Sequence, residues 1–397
     1  MIESAVDVPA RSRRVTGLLL TISATDAVAT GVILPTLPFL ALDLGVGPVA
    51  IGALIAASAV MQLVMGPVWG GLADRFDSRR LLIIAPLIAA AGHLLLALAQ
   101  NYQMMVAARV LTGAGAAVPV LLQARIVAET TDRDRTAMVG RVTAVQGAGT
   151  ILGPALGALV VRYGIGAVGM TAALAALLVA LLASRLPARE LARSTPRRSV
   201  LGALRSLLGS RRLRPLVVIA LLGWLCFTAY ATALPLFLNQ EFRLSSTTYG
   251  GLIAISGMVA LLVRGVLLGW LVKRLGEPAL MVVGAGLLAA SMALVPLLPT
   301  VWLTPLLPLT YAIGAGLLFP CQVARVSSNA PEGTAGLALG GNATVAGLGT
   351  VLGPLAAGAL FTALAGGAFL LGAAVLVVVA TIAVVTEYLP QRGVKTV

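Results

Sequence analysis

The stretch Gly147-Ala-Gly-Thr-Ile-Leu-Gly-Pro154 recurs 200 residues later as Gly347-Leu-Gly-Thr-Val-Leu-Gly-Pro354, each copy inside an apolar segment. The likeness extends outward from there. Asp26-Ala-Val-Ala-Thr-Gly-Val-Ile-Leu-Pro35 answers to Cys226-Phe-Thr-Ala-Tyr-Ala-Thr-Ala-Leu-Pro235, and Gly70-Gly-Leu-Ala-Asp-Arg-Phe76 answers to Gly269-Trp-Leu-Val-Lys-Arg-Leu275. Gly113-Ala-Gly with Pro119 likewise answers to Gly314-Ala-Gly with Pro320. A chain that repeats at half its length is built from two related halves.

Each half is too apolar for water. The chain is 59% hydrophobic and 11% charged, with a mean hydropathy of +1.01, against roughly 45–50% apolar residues in soluble domains. Apolar runs of about 20 residues, enough to cross a hydrocarbon core of about 30 Å, recur along its length. Twelve are expected, at 15–42, 48–73, 81–99, 103–128, 137–161, 165–186, 215–239, 247–272, 279–298, 303–326, 337–361 and 368–388. The first is too long for a signal-peptide core and no small-residue cleavage site ends it, so it is expected to remain as a helix. The expected organisation is a six-helix half over 1–186, an Arg-rich linker at 187–214 and a second six-helix half over 215–397.

Charge gives the orientation. Of the 28 basic residues, 24 fall on one side of this topology; only Arg162 and Arg243 fall on the other, with Arg109 and Arg264 inside spans. The excess of cations on cytoplasmic loops then places both termini and the linker in the cytoplasm. The net charge of +14 is thus a topology signal. Nucleic acid is excluded as a partner because the cations are spread over short loops rather than gathered on one soluble face. Membrane lipid is a partner, and the linker arginines can touch anionic headgroups.

Cys226 and Cys321 both sit in apolar spans, which suggests neither a disulfide framework nor a metal site. With one histidine and no Gly-Lys-Ser/Thr phosphate loop, the chain has no place for ATP hydrolysis. No cofactor is expected. No paired acids, nucleophile with a base, or metal cluster marks an enzyme. Uphill transport would draw on an ion gradient.

Six spans per half is an even number, so both halves enter the membrane in the same orientation, a recognised plan for secondary transporters. At this point the chain resembles the major facilitator superfamily over nearly its whole length. The loop Gly70-Gly-Leu-Ala-Asp-Arg-Phe-Asp-Ser-Arg-Arg80 is similar to that family's signature loop, with Asp77 and Ser78 where Gly and Arg are usual. Arg109-Val-Leu-Thr-Gly-Ala-Gly-Ala-Ala117 resembles its fourth-span signature, and 147–157 resembles the fifth-span motif of the twelve-span drug/proton antiporters. Asp26 through Pro35-Thr-Leu-Pro38 looks most like the first helix of tetracycline/proton antiporters, which also carry acids in their third and ninth helices. Here the third span has His93 and 279–298 has no acid. The resemblance implies alternating access around a site near the midplane, in a protein that works as a monomer in a bacterial inner membrane.

Of the 14 acids, 13 fall in loops, tails or span ends, and Asp26 alone lies well inside a span. A carboxylate there costs several kcal/mol unless paired, hydrated or protonated. Asp26 is therefore a candidate proton carrier or a ligand for a cationic substrate, with a helix-packing Asp bonded to a hydroxyl as the other reading. Arg109 is a permanent cation within span four that can hold a nearby acid in its charged form or bond to carbonyls. Its resemblance implies proton relay, against a snorkelling Arg. Asp74, Arg75, Arg79 and Arg80 are expected to gate: an acid in such a loop can cap a helix N-terminus, and cations can pair with carboxylates of neighbouring loops. A loop that is merely positive-inside is the alternative.

Gly147, Gly149, Gly153 and Gly157 let backbones approach closely, and Pro154 kinks the span. The antiporter resemblance adds a seal against leakage, and plain packing explains the same residues. His93 could titrate near neutrality or simply bond to a neighbour. Gln62, Gln123, Gln146, Asn342, Trp224, Phe227, Tyr230 and Phe319 are candidates to line a mostly apolar cavity with a few polar groups, which suits an amphipathic ligand. Trp224 and Tyr230 are favoured, because they lie near the centre of span seven, opposite Asp26 in the repeat. The sequence reading is a proton-coupled exporter of small amphipathic molecules, with metabolite uptake or a non-transporting receptor as alternatives.

Overall fold

The computed structural model describes residues 10–129, 132–188, 207–331 and 334–388. Most of the Arg-rich linker, at 189–206, lies outside them, as do 1–9 and 389–397. Among the described residues every regular element is helical, and there is no strand.

The described residues form two compact units, one within Met1–Leu34 and Val64–Ser194 and the other within Pro35–Leu63 and Thr195–Val397. The first holds α1 (Ala10–Ile33), the later turns of α3 (Pro48–Ala73), α4 (Ser78–Ala97), α5 (Tyr102–Gly115), α6 (Val118–Glu129), α7 (Asp132–Val160) and α8 (Ile165–Ser184). The second holds α2 (Leu37–Asp43) and the first turns of α3. It continues with α9 (Leu213–Phe242), α10 (Ser246–Leu262), α11 (Leu268–Leu294), α12 (Leu306–Ser328), α13 (Ala335–Leu364) and α14 (Gly367–Tyr388).

Eleven stretches among the described residues are long and apolar enough to cross a membrane. One of them, Ser246–Leu297, is 52 residues long, about twice what one crossing needs. Its helix breaks at Gly276, whose φ of 78° and ψ of 157° lie in a region open to glycine. That break separates the eighth and ninth expected spans and restores the count of twelve.

Two expected single helices are broken by proline. Span one parts into α1 and α2 at 34–36, where Pro35 disfavours a helical Leu34 and has no N–H to give back. Span four parts into α5 and α6 at Ala116–Ala117. Pro119 cannot donate to the carbonyl of Gly115, which takes the Ala117 N–H at 2.8 Å instead.

Helix pairing follows small residues. A Cβ on Gly153 would sit 2.6 Å from the Cα of Gly31, and one on Gly149 would sit 2.8 Å from the carbonyl of Ala24. So α7 lies backbone to backbone on α1. In the second unit α13 lies on α9 in the same way: a Cβ on Gly349 would sit 2.6 Å from the Leu221 carbonyl and one on Gly353 would sit 2.5 Å from the Leu225 carbonyl. Gly92 and Gly115 join α4 to α5 as Gly284 and Gly314 join α11 to α12. Contacts this close replace the hydrophobic drive that lipid removes.

The first unit's core at one end gathers Val15, Leu19, Ile22, Trp69, Leu81, Leu82, Leu121, Leu122, Ile126 and Val179. In the second unit the first turns of α3 pack on α13, where a Cβ on Gly358 would sit 2.5 Å from the Pro48 carbonyl.

Candidate functional site

In the first unit, Asp26 lies 12 residues beyond Arg14, where the first candidate span begins, or about 18 Å along a helix rising 1.5 Å per residue. Its spacing puts it on the side of α1 that carries Leu19, Ile22 and Ile33, all buried, while Asp26 itself stays partly exposed. Ala24, Ala27 and Val28, on another side, receive Gly149 and Gly153 of α7. The glycines therefore seat α1 without consuming the face that bears the acid. Among the described residues no cation pairs with Asp26.

Arg109 is 8% exposed in α5 and His93 6% exposed in α4, and these two helices pack closely at Gly92. A Cβ there would sit 2.7 Å from the Thr112 amide and 2.8 Å from the Ala108 carbonyl. Arg109 is thus packed within the first unit.

In the loop between α3 and α4 the acid that caps is Asp77, which accepts the Arg79 N–H at 3.0 Å, and not Asp74, which lies half-buried in the turn before it. Arg79 donates to the Ser184 carbonyl at 2.7 Å, whereas Arg75 and Arg80 are exposed. Asp77 also pairs at 3.5 Å with Arg125 of α6, which is 1% exposed. Arg125 donates further to Ser78 Oγ at 3.2 Å and to the Pro187 carbonyl at 2.8 Å. The two residues that depart from the signature are thus both partners of one buried guanidinium. Sequence reading missed Arg125, counting it only as a cytoplasmic cation.

In α7, Gly149, Gly153 and Pro154 face α1, and a Cβ on Gly157 would sit 2.5 Å from the Val32 carbonyl; Gly147 is half-buried. Among the polar candidates Gln62 on α3 and Gln123 on α6 are exposed, and Gln146 on α7 is half-buried.

The second unit carries an aromatic cluster built by α9, α12 and α14. Trp224 stacks on Phe319 with ring centres 4.5 Å apart, Phe227 stacks on Tyr311 at 5.4 Å, and Tyr230 stacks on Tyr311 at 3.8 Å. Phe369 closes the far end edge-on against Tyr230. Trp224 and Phe227 are half-exposed, while Tyr230, Tyr311 and Phe319 are buried. The Tyr230 hydroxyl lies 3.0 Å from Ser291 Oγ, which itself donates to the Leu307 carbonyl at 2.8 Å. Tyr230 is therefore the donor, and its polar handle is engaged within the protein. Asn342 is similarly engaged: Gln322 Nε2 donates to it and to the Leu216 carbonyl, both at 2.9 Å. Tyr311 was not singled out from sequence, although its eight-residue spacing from Phe319 places both on one face of a helix.

A model of the Major Facilitator Superfamily matches residues 19–354. The chain belongs to the major facilitator superfamily. It is accordingly a multi-pass membrane transporter. It is 28% identical over 345 residues to "Multidrug resistance protein 2" of Bacillus subtilis, covering 83% of this chain and 84% of that one. It is also 28% identical over 372 residues to "Tetracycline resistance protein, class C" of Escherichia coli, covering 89% and 92%. The fold matches the crystal structure of nucleoside transporter NupG with a TM-score of 0.78 at 16% identity, over 94% of this chain and 99% of that one. It matches the human organic anion transporter MFSD10 with a TM-score of 0.69 at 21% identity, over 95% and 100%.

Proposed function

We propose that this superfamily member is a proton-driven exporter of small amphipathic molecules, working as a monomer in a bacterial inner membrane with both termini cytoplasmic. The observation that carries the reading is Asp26: a carboxylate about midway along a transmembrane helix, partly exposed, with no cation pairing it among the described residues. An unpaired carboxylate at that depth is stable chiefly when protonated or hydrated, so it takes up a proton where water reaches it and releases it when access changes.

Trp224 and Phe227 offer the half-exposed aromatic surface, which suits a ligand recognised by shape and stacking. The drug- and tetracycline-resistance names of the relatives agree with an efflux substrate. Arg109, buried in α5, acts as a fixed positive charge in the relay. The 74–80 loop and the glycine face of α7 govern the change of access.

The test is substrate-triggered collapse of a pH gradient in inverted vesicles, with a panel of amphipathic cations and tetracycline-like compounds. Asp26→Asn is expected to fold and to lose gradient-driven transport. Full transport by that variant would overturn the reading.

A further inference from the structure

The first unit holds a second polar feature away from Asp26. A crevice of about 910 Å³ lies between α1 and the end of α8, lined by Arg14, Leu18, Thr21, Leu181, Leu182, Arg185 and their neighbours. Its size falls within the ~300–1,000 Å³ of small-molecule sites. Arg14 begins the first candidate span and Arg185 follows the last residue of another, Ile165–Ser184. Both guanidinium groups therefore sit at the depth of lipid headgroups, with leucines leading inward.

An arginine at a helix C-terminus has an ordinary duty, to bond the last carbonyls. That duty is already discharged here: Arg79 takes the Ser184 carbonyl at 2.7 Å and Arg125 takes that of Pro187 at 2.8 Å. Arg185 is exposed and is left to face the crevice alongside Arg14, and among the described residues neither has an acidic partner. Two cations lining one hollow repel each other unless an anion joins them. From the crevice an apolar stripe continues along α8 through Leu181, Leu178 and Leu174, exposed by 54%, 43% and 59%.

We propose that this crevice binds an anionic glycerophospholipid, its phosphate between Arg14 and Arg185 and an acyl chain along Leu181, Leu178 and Leu174. The positive-inside orientation puts the site in the cytoplasmic leaflet, where anionic lipid concentrates. Because Arg79 and Arg125 fix the end of α8, the wall bearing Arg185 is held in place before the lipid arrives. The site depends on the membrane-spanning fold and not on proton coupling, so a binding measurement separates the two.

The experiment reads phosphatidylglycerol retained by the full-length protein, by native mass spectrometry and by the lipid-dependent rise in thermal midpoint, against phosphatidylcholine. The double variant Arg14→Gln with Arg185→Gln is expected to bind phosphatidylglycerol on the order of tenfold more weakly, with each single variant intermediate. Arg162→Gln, an exposed arginine preceding α8, is expected to bind like the unaltered protein. Equal retention by the double variant overturns the proposal. So does displacement of the lipid by millimolar inorganic phosphate, which marks a free-anion site. The proposal also fails if phosphatidylglycerol binds only after Glu3 and Asp7 of the N-terminal tail are neutralised, since the tail is then the occupant.

Discussion

Arg125 and Asp77 form an ion pair at 3.5 Å in which the guanidinium is 1% exposed, and the same guanidinium ties the α3–α4 loop to the turn after α8 through Ser78 and Pro187. Removing one member of a buried pair leaves the other uncompensated, at about 3–5 kcal/mol. Asp77 keeps some access to water, so Arg125→Met is expected to cost about 3 kcal/mol, at the lower end of that range. Arg125→Lys should recover little, because an ammonium lacks the planar fork that serves three partners. Thermal unfolding in detergent checks both. Asp77→Asn combined with Arg125→Met should cost less than the two separate losses added together.

The recurrent Gly-Pro helix admits a comparison between the halves. A methyl on Gly153 would meet the Gly31 Cα at 2.6 Å, and one on Gly353 would meet the Leu225 carbonyl at 2.5 Å. Both obstacles are backbone and cannot swing away. Gly153→Ala and Gly353→Ala are each expected to destabilise by about 1–3 kcal/mol through overpacking, measured as thermal midpoint and folded yield. A plain packing role makes the two equal. If Gly153→Ala alone left a stable protein that leaks protons, sealing would be its particular duty.

The parts of the fold legible in sequence are those with a local signature. Apolar runs, proline positions and the small residues of 147–157 and 347–357 carry their physics in a few consecutive residues. Pro35 and Pro119 could have revealed the breaks in spans one and four, yet hydropathy alone runs straight through them. What stayed hidden was pairing at a distance. Nothing near Arg125 announces Asp77, 48 residues earlier, and nothing near Tyr230 announces Ser291. Asp26 stood out because an acid inside an apolar run is conspicuous. The engagement of Asn342 with Gln322 did not, since an amide reads alike whether it meets a ligand or another amide.

His93 offers a prediction from an absent bond. Its ring is 6% exposed, and its Nδ1 has no hydrogen-bond partner among the described residues. A buried polar atom without a partner costs about 1–3 kcal/mol. His93→Leu is therefore expected to hold or raise the thermal midpoint and to leave efflux unchanged. A folded variant with lost efflux would instead assign His93 a direct part in transport.

Trp224 and Tyr230 should separate under substitution although they sit six residues apart on α9. Trp224 is half-exposed, and its other face rests on Phe319 at 4.5 Å. Trp224→Ala removes one stacking surface, worth about 0.5–1.5 kcal/mol, and should raise the apparent KM for aromatic amphiphiles about three- to tenfold. Tyr230 is 3% exposed, and its hydroxyl ends the chain to Ser291 and the Leu307 carbonyl. Tyr230→Phe keeps the 3.8 Å stack on Tyr311 and loses one hydrogen bond, about 0.5–1.5 kcal/mol of stability. Its transport kinetics should be unaltered. Efflux assays across substrates of graded aromaticity check the pair, and a larger KM change for Tyr230→Phe than for Trp224→Ala would move the recognition surface inward, onto the buried tyrosines.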